Sequence, residues 1–371
     1  MGVKFDLAGR INDADIAGEI IELGDADLVA LGRALLVEPD LPRKASTEDN
    51  QEIRKCISCN MCTDRLFKGL DVRCAVNAST GNEQAFKICR SGKRKKALVV
   101  GGGPGGMEAA RVLALMGHEV TIWEKNARLG GKIALITRIL PRKEELSHLI
   151  KWYELKLSRL PVNIVYNKQG TAYEIIEVGA DFAVLAIGAL PRVLDGVQID
   201  DKARVMYADE VLEKGMEHRG KIGIIGGGWV GLEIAEFMLM KGASVTIVEK
   251  LPHLGAGMDV LGKKTMIDEI MQYPVEILLG TELEKISENG ITVKDKNGSR
   301  VLELDYVIIA VGYQPNTEIL SELREFEKSG GNLKYVAVGD CLGARKVGDA
   351  IFEGAFSAIE FCRGNNHAKN H

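Results

Sequence analysis

The chain has 371 residues, 46% of them hydrophobic and 27% charged, with a formal net charge of −4. That length suggests two or three domains, and the mildly negative balance gives no reason to expect a nucleic acid or an anionic membrane as partner. No apolar run of about 18 residues is present and the opening MGVKFDLAGR lacks the apolar stretch of a signal peptide, so a cytoplasmic protein is expected.

Residues 1–45 read as a βαβα fragment: an AGR turn, a helix over DADIAGEIIELG, an apolar strand in DLVALGR and a further short helix. Forty-odd residues of this parallel type are too few to bury a core of their own. Next come Cys56, Cys59, Cys62 and Cys74, spaced C-x2-C-x2-C-x11-C, four of the seven cysteines in the chain. Cysteines in a cytoplasmic chain point to metal or redox chemistry rather than to disulfides. Three in one tight run with a fourth farther off suit the corners of a [4Fe–4S] cluster. Structural zinc more often uses two separated C-x2-C knuckles. Zinc, and buried thiols that bind nothing, stay open as alternatives. Cys89, Cys341 and Cys362 have no partners in spacing and are expected to be structural. The basic run RSGKRKK, Arg90 to Lys96, is either an anion site or a solvated linker. Like charges repel and extend a segment, which favours the linker.

From Lys96 the pattern changes. KALVV is a buried strand, GGGPGGMEAARVLALMG a glycine turn opening a helix, and HEVTIWEK a second strand ending in Glu124. The same unit returns as KIGIIGGGWVGLEIAEFMLMKG followed by ASVTIVEK, ending in Glu249. Gly101 to Gly226 and Glu124 to Glu249 are both offsets of 125, and Gly188 to Gly312, in the strands FAVLAIGA and YVIIAVGY, is 124. The chain therefore holds two copies of a dinucleotide-binding half. Its 42 glycines, against roughly 26 at an average usage of about 7%, are largely placed one by one for backbone geometry.

Gly101, Gly103 and Gly106 hold the G-x-G-x-x-G spacing: a tight turn, a close approach for pyrophosphate, and close packing of helix on strand. Pyrophosphate would sit at the helix N-terminus, where free N–H groups and the dipole favour anions. Glu124, at the strand end, is placed to accept from ribose hydroxyls. Gly226, Gly228, Gly231 and Glu249 repeat the arrangement, and a carboxylate there favours NAD(H) over NADP(H) by repelling a 2′-phosphate, although Lys250 next to it weakens that inference. Near the C-terminus, YVAVGDC puts Asp340 at another strand end before the helical stretch GDAIFEGAFSAIEF. The acid could bond a flavin's ribityl chain, or Gly339-Asp340 could be only a turn. Its place after the second module suggests a first domain that is left and re-entered, which makes the first copy the FAD site.

These motifs in this order resemble the iron–sulfur flavoproteins of the old yellow enzyme class, such as 2,4-dienoyl-CoA reductase, enoate and bile-acid reductases and trimethylamine dehydrogenase. The resemblance runs through DLVALGRALLVEPDLPRKA, CISCNMC…CAVN, VVGGGPGGMEAARVLALMGHEVTIWEK with LGGK, AIGALPR, IIGGGWVGLEIAE and VGDC. It implies an α/β chain made of the C-terminal remnant of a TIM barrel plus two Rossmann-like domains, the second inserted in the first. The expected segments are 1–45 for the barrel end, 46–92 for the iron–sulfur segment and linker, 93–192 with 325–371 for FAD, and 193–324 for NAD(H). By the same resemblance Gly9, Arg10, Gly32 and Arg33 would be FMN-phosphate loops. Gly101, Gly103, Gly106, Glu124, Gly131, Lys132 and Asp340 would line FAD, and Gly226, Gly228, Gly231 and Glu249 the nicotinamide dinucleotide.

Most of the barrel, with the family's substrate-binding and proton-donating residues, has no counterpart, so no catalytic residue can be assigned. FMN is expected only if another chain completes the barrel. The implied function is the electron-input part of an NADH-dependent enoate or dienoyl-CoA-type C=C reductase, with electrons passing from NADH to FAD, to the cluster, to FMN. The alternatives are a stand-alone NADH:acceptor electron-transfer protein and an inactive truncated product. The small subunit of glutamate synthase also sets cysteines before paired FAD and NAD(P)H modules, but it carries more N-terminal cysteines and lacks the ALGRALL strand.

Overall fold

The structure, a computed structural model, describes residues 4–47, 50–140 and 143–363. Residues 1–3 and 364–371, the outer ends of the expected barrel and FAD segments, lie outside the described residues. Two compact units emerge, one drawn from Met1–Ala134, Arg142–Ala189 and Pro315–His371, the other from Leu135–Pro141 and Leu190–Gln314. Among the described residues no helix is long and apolar enough to cross a membrane.

The first unit is built on a five-stranded, fully parallel sheet in the order Tyr335–Ala337, Phe182–Leu185, Lys96–Val100, Glu119–Trp123, Val162–Val165. Its central strand KALVV is apolar on both faces, as a strand covered by helices on each side must be. Ala97 and Val99 face a core made with the helices Pro104–Leu115, Glu144–Ser158 and Val347–Arg363. Leu98 and Val100 face a second core with Ala172 and Ile175 of Ala172–Glu177 and Leu320 and Leu323 of Glu318–Lys328. That last contact moves a boundary. Glu318–Lys328 belongs to the first unit, so the chain returns at 314/315 rather than at 324/325. The outward crossing lies at 189/190 rather than at 192/193. Leu140, with Leu135, Ile136 and Ile139 beside it, packs in the second unit's core, a detour that the expected segments lack.

The second unit repeats the parallel sheet: Val275–Leu279, Ser244–Glu249, Lys221–Ile225, Tyr306–Ile309, Val205–Tyr207. Beside it, Glu282–Ser287, Gly290–Asp295 and Gly298–Glu303 form an antiparallel meander, with Gln198–Ile199 parallel to its first strand.

The N-terminal fragment is a parallel pair, Asp6–Ala8 beside Leu28–Ala30, joined through the helix Ala14–Glu22. Asp13 caps that helix by accepting the Asp15 N–H at 3.0 Å. No residue of the helix is buried, and Phe5, Leu23 and Leu28 are 67%, 76% and 58% exposed. The fragment's own core is little more than Ala34, Leu41 and Ile53.

Leu113, fully buried among helices and sheet, should cost about 2–5 kcal/mol when changed to alanine. Leu28→Ala should stay within about 0.5 kcal/mol. Urea denaturation of the two variants checks the contrast, and equal losses would show that the face of Leu28 is covered.

Candidate functional site

In the first unit the glycine turn is closed by contacts that leave no room for side chains. Gly101 has φ +103°, and a Cβ there would lie 2.3 Å from the Ala186 carbonyl oxygen. A Cβ on Gly106 would lie 1.9 Å from the Gly101 carbonyl oxygen. A Cβ on Gly103, by contrast, would meet nothing within 4 Å. Pro104 follows as the first helical residue and no side chain caps the helix, so open space lies before N–H groups that point out of its N-terminus. Glu124 is 3% exposed. Its Oε2 accepts the Gly102 N–H at 2.7 Å and its Oε1 the Asn126 N–H at 2.8 Å, which fixes the carboxylate while each oxygen keeps capacity for a second donor. The Gly130 N–H donates to the Gly102 carbonyl at 2.9 Å. A Cβ on Gly131, at φ +54°, would lie 3.1 Å from the Gly103 Cα, and Lys132 follows in the helix Gly131–Ile139.

Asp340 stands just past the strand Tyr335–Ala337, in a short 3-10 turn. Its Oδ1 accepts the Arg345 N–H at 3.2 Å. Glu353 braces the turn by accepting the Gly339 N–H at 2.7 Å and pairing with Arg345 at 2.6 Å. Cys341 is buried against the Leu185 and Val338 carbonyls, and burial pushes its thiol up to about 11, in line with a structural role.

The second unit reproduces the turn almost atom for atom. A Cβ on Gly226 would lie 2.5 Å from the Ala310 carbonyl oxygen, one on Gly231 1.9 Å from the Gly226 carbonyl oxygen, and one on Gly228 would again meet nothing within 4 Å. Glu249 accepts the Gly227 N–H at 2.7 Å and the Leu251 N–H at 2.8 Å. The repeat also runs farther than the sequence motifs suggested. Leu254 presses on Gly227 as Leu129 presses on Gly102, and the Gly255 N–H donates to the Gly227 carbonyl at 2.8 Å. LGGK and LGAG stand at the same offset of 125, a signal that was available.

Cys56, Cys59, Cys62 and Cys74 line one recess of the first unit together with Arg33, Asn60, Ala75 and Val76. Ser58 and Asn60 have φ of 52° and 57°, left-handed bends that coil the C-x2-C-x2-C run on itself. Backbone N–H groups point at the thiols: Ser58 at Cys56, Met61 at Cys59, Val76 and Asn77 at Cys74. Burial raises the thiols of Cys56 and Cys74 and pushes Cys59 up to about 12. Among the described residues, no three His, Cys, Asp or Glu side chains are grouped to hold a metal ion.

Gly9-Arg10 and Gly32-Arg33 follow the C-terminal ends of the two paired strands. Arg10 pairs with Glu145 at 2.5 Å and donates to the Ser58 hydroxyl at 3.3 Å, and Arg33 donates to Asn60 Oδ1 at 3.1 Å. Both arginines thus reach the two left-handed residues of the cysteine loop. Cys89 is exposed, and Cys362 lies 2.9 Å from the His118 ring. Most of the basic run from Arg90 to Lys96 is exposed.

Because no side chain fits between helix and strand, Gly106→Ala should abolish the folded first unit or shift its thermal midpoint down by many degrees. Gly103→Ala should leave that midpoint near the parent value while weakening whatever occupies the open space. Calorimetry with flavin analysis separates the two outcomes.

Comparison with known proteins gives a concordant picture. The family model described as pyridine nucleotide-disulphide oxidoreductase matches residues 95–335. A bilirubin reductase of Mediterraneibacter gnavus is 33% identical over 360 residues, 96% of this chain and 55% of its own length. An NADH oxidase of Thermoanaerobacter brockii is 33% identical over 362 residues, 95% of this chain and 55% of that protein. The solved structure of a 2-naphthoyl-CoA reductase complex superposes with a TM-score of 0.90 at 27% identity, covering 96% of this chain and 54% of that one. The chain thus spans about half the length of the relatives it matches, and these, two reductases and an NADH oxidase, are oxidoreductases as its resemblance to the old yellow enzyme class leads one to expect. The match over residues 95–335 carries both glycine turns and both strand-end glutamates, and by it the chain belongs to the pyridine nucleotide-disulphide oxidoreductase family.

Proposed function

We propose that the chain is the electron-input part of an NAD(P)H-dependent flavoprotein reductase acting on an activated C=C bond. The observation that carries this is the pairing of two equivalent glycine turns, each with a fixed strand-end carboxylate, with four thiols around one recess. The open space at Gly103 and Gly228 fits a diphosphate against a helix N-terminus. The donor set of the recess, four thiols of which Cys56, Cys59 and Cys74 have N–H groups aimed at them, fits an iron–sulfur cluster.

FAD would be held by Gly101, Gly103, Gly106, Glu124, Gly131, Lys132 and Asp340. NAD(H) would be held by Gly226, Gly228, Gly231 and Glu249, and a [4Fe–4S] cluster by Cys56, Cys59, Cys62 and Cys74. The cofactors supply hydride and single-electron chemistry, and the protein positions them and tunes their potentials. Glu124 and Glu249 orient ribose hydroxyls, and the backbone around the cysteines stabilises thiolates that burial alone disfavours. FMN would need a complete barrel. The bare apolar faces at Phe5 and Leu28, and relatives nearly twice as long, favour further polypeptide covering that pair of strands, with Gly9, Arg10, Gly32 and Arg33 at the FMN phosphate. The chain is expected to work in the cytoplasm, with neither nucleic acid nor membrane as partner.

Protein purified without oxygen should contain FAD, iron and acid-labile sulfide in fixed ratio to the chain. NADH should bleach the flavin absorbance and drive ferricyanide reduction. Zinc without iron would overturn the cluster, and the absence of FAD would overturn the central reading.

Glu249→Gln keeps an acceptor for the Gly227 N–H but removes the charge that repels a 2′-phosphate. The ratio of kcat/KM for NADH over NADPH should fall about tenfold, a loss of about 1.4 kcal/mol in discrimination. An unchanged ratio in steady-state ferricyanide assays would leave specificity to other residues.

A further inference from the structure

Arg54 is buried, 9% exposed, two residues before the first cysteine of the recess. Its Nη1 donates to the carbonyl of Val76, in the same turn whose Val76 N–H points at the Cys74 thiol. The guanidinium lies over the Trp152 ring, 4.5 Å from its centroid, and its Nε is buried with no hydrogen-bond partner. No carboxylate forms an ion pair with it among the described residues.

The charges around it do not cancel. Glu108, 1% exposed, is held by Arg111 through two bonds of 2.7 and 2.8 Å and by the Tyr153 hydroxyl at 3.2 Å. Arg111 lies over the same tryptophan, at 5.7 Å. Glu38 accepts the Arg54 backbone N–H at 3.4 Å but is already paired with Lys44 at 2.5 Å. At the rim, Glu52 pairs with both Lys156 and Arg159. Arg33 lines the recess, and Arg73, next to Cys74, lies over Phe352. The inner carboxylates each have a cation of their own, which leaves the charge of Arg54 in excess. A buried cation without a counter-charge is costly, and four neutral thiols do nothing to offset it. Four thiolates on an iron–sulfur cluster would, because such a centre is net negative and becomes more so on reduction.

We infer that Arg54 is a positioning and tuning residue for the cysteine recess, the buried counter-charge that holds Cys74–Val76 in place and makes the bound cluster easier to reduce. This rests on the cluster reading above. Glu108 acts in the opposite sense, since it partly cancels the positive field. It stands on Pro104–Leu115, the helix that opens at the first glycine turn.

The test is a redox titration followed by electron paramagnetic resonance on the whole, cluster-loaded chain and on Arg54→Lys, Arg54→Gln and Glu108→Gln. At the potential that half-reduces the parent, the reduced-to-oxidised ratio should fall about tenfold in Arg54→Gln, a shift of ~59 mV for one electron. Arg54→Lys should stay near the parent, and Glu108→Gln should shift the other way. No shift in Arg54→Gln, an equal shift in Arg54→Lys, or a shift of the same sign in Glu108→Gln would overturn the inference while leaving the cluster in place. Should Arg54→Gln not hold a cluster, the sign of the Glu108→Gln shift decides. Absence of iron and sulfide from the parent would overturn the cluster reading, and the inference with it.

Discussion

A carbonyl oxygen sets the architecture of each dinucleotide module. The Gly101 oxygen, and the Gly226 oxygen in the second copy, occupies the space where the last glycine of the turn would carry its Cβ. Helix and strand can meet that closely only if both residues are glycine, and the meeting leaves the uncapped helix N-terminus at the strand end. Other contacts follow from it. The turn's second glycine can aim its N–H at the strand-end carboxylate only because the backbone has bent so tightly. The segment after the second strand then folds back to donate to the same glycine's carbonyl. In the first unit, parallel pairing of Tyr335–Ala337 with Phe182–Leu185 brings Asp340 to the same end of the sheet.

The N-terminal fragment is held differently. Its own apolar core is small and its strand faces are bare, and Val37 is its one residue in the first unit's main core cluster, so burial does little to hold it. Polar bonds add to that hold. The Asn12 amide donates to the Cys56 carbonyl at 3.1 Å, Lys55 pairs with Asp13, and Asn77 and Thr80 donate to the Leu36 carbonyl at 3.2 and 2.7 Å. Arg10 and Arg33 add their contacts to Ser58 and Asn60. Each such bond contributes only about 0.5–1.5 kcal/mol net, but together they join the two paired strands to the cysteine loop. A displacement of that loop is therefore felt at the ends of both strands.

Much of this was legible in the sequence, because the features that matter most are local or repeated. G-x-G-x-x-G with an acid at the next strand end is a contiguous pattern, and its recurrence at an offset of 125 identifies it twice. The cysteine run is contiguous too. Less legible was whatever depends on contacts distant in the chain. Leu320 and Leu323 read as one face of an amphipathic helix, and nothing local says that this face meets Ala172 and Ile175 in the first unit. The same is true of the segment around Leu140, apolar in either unit but packed in the second. Arg54 looked like one arginine among many, since the groups that define its setting, Glu108 and Trp152, stand 54 and 98 residues away.

The helix Pro104–Leu115 joins what the motifs present as separate sites. Its first residues follow the glycine turn, and farther along Glu108 accepts from Tyr153 and Arg111 lies over Trp152, the ring that Arg54 also covers. Gly106 must be small for the turn to close, and Gly105 for the helix Val347–Arg363 to approach at Ala350, which fixes the register of the helix. That register in turn fixes where the buried carboxylate falls. The geometry that leaves open space at one end of the helix thus also places the buried carboxylate whose charge we infer to act at the cysteines. For that reason, a substitution that shifts the helix along its axis should disturb both sites together, whereas a charge change at position 108 alters the field and leaves the turn as it was.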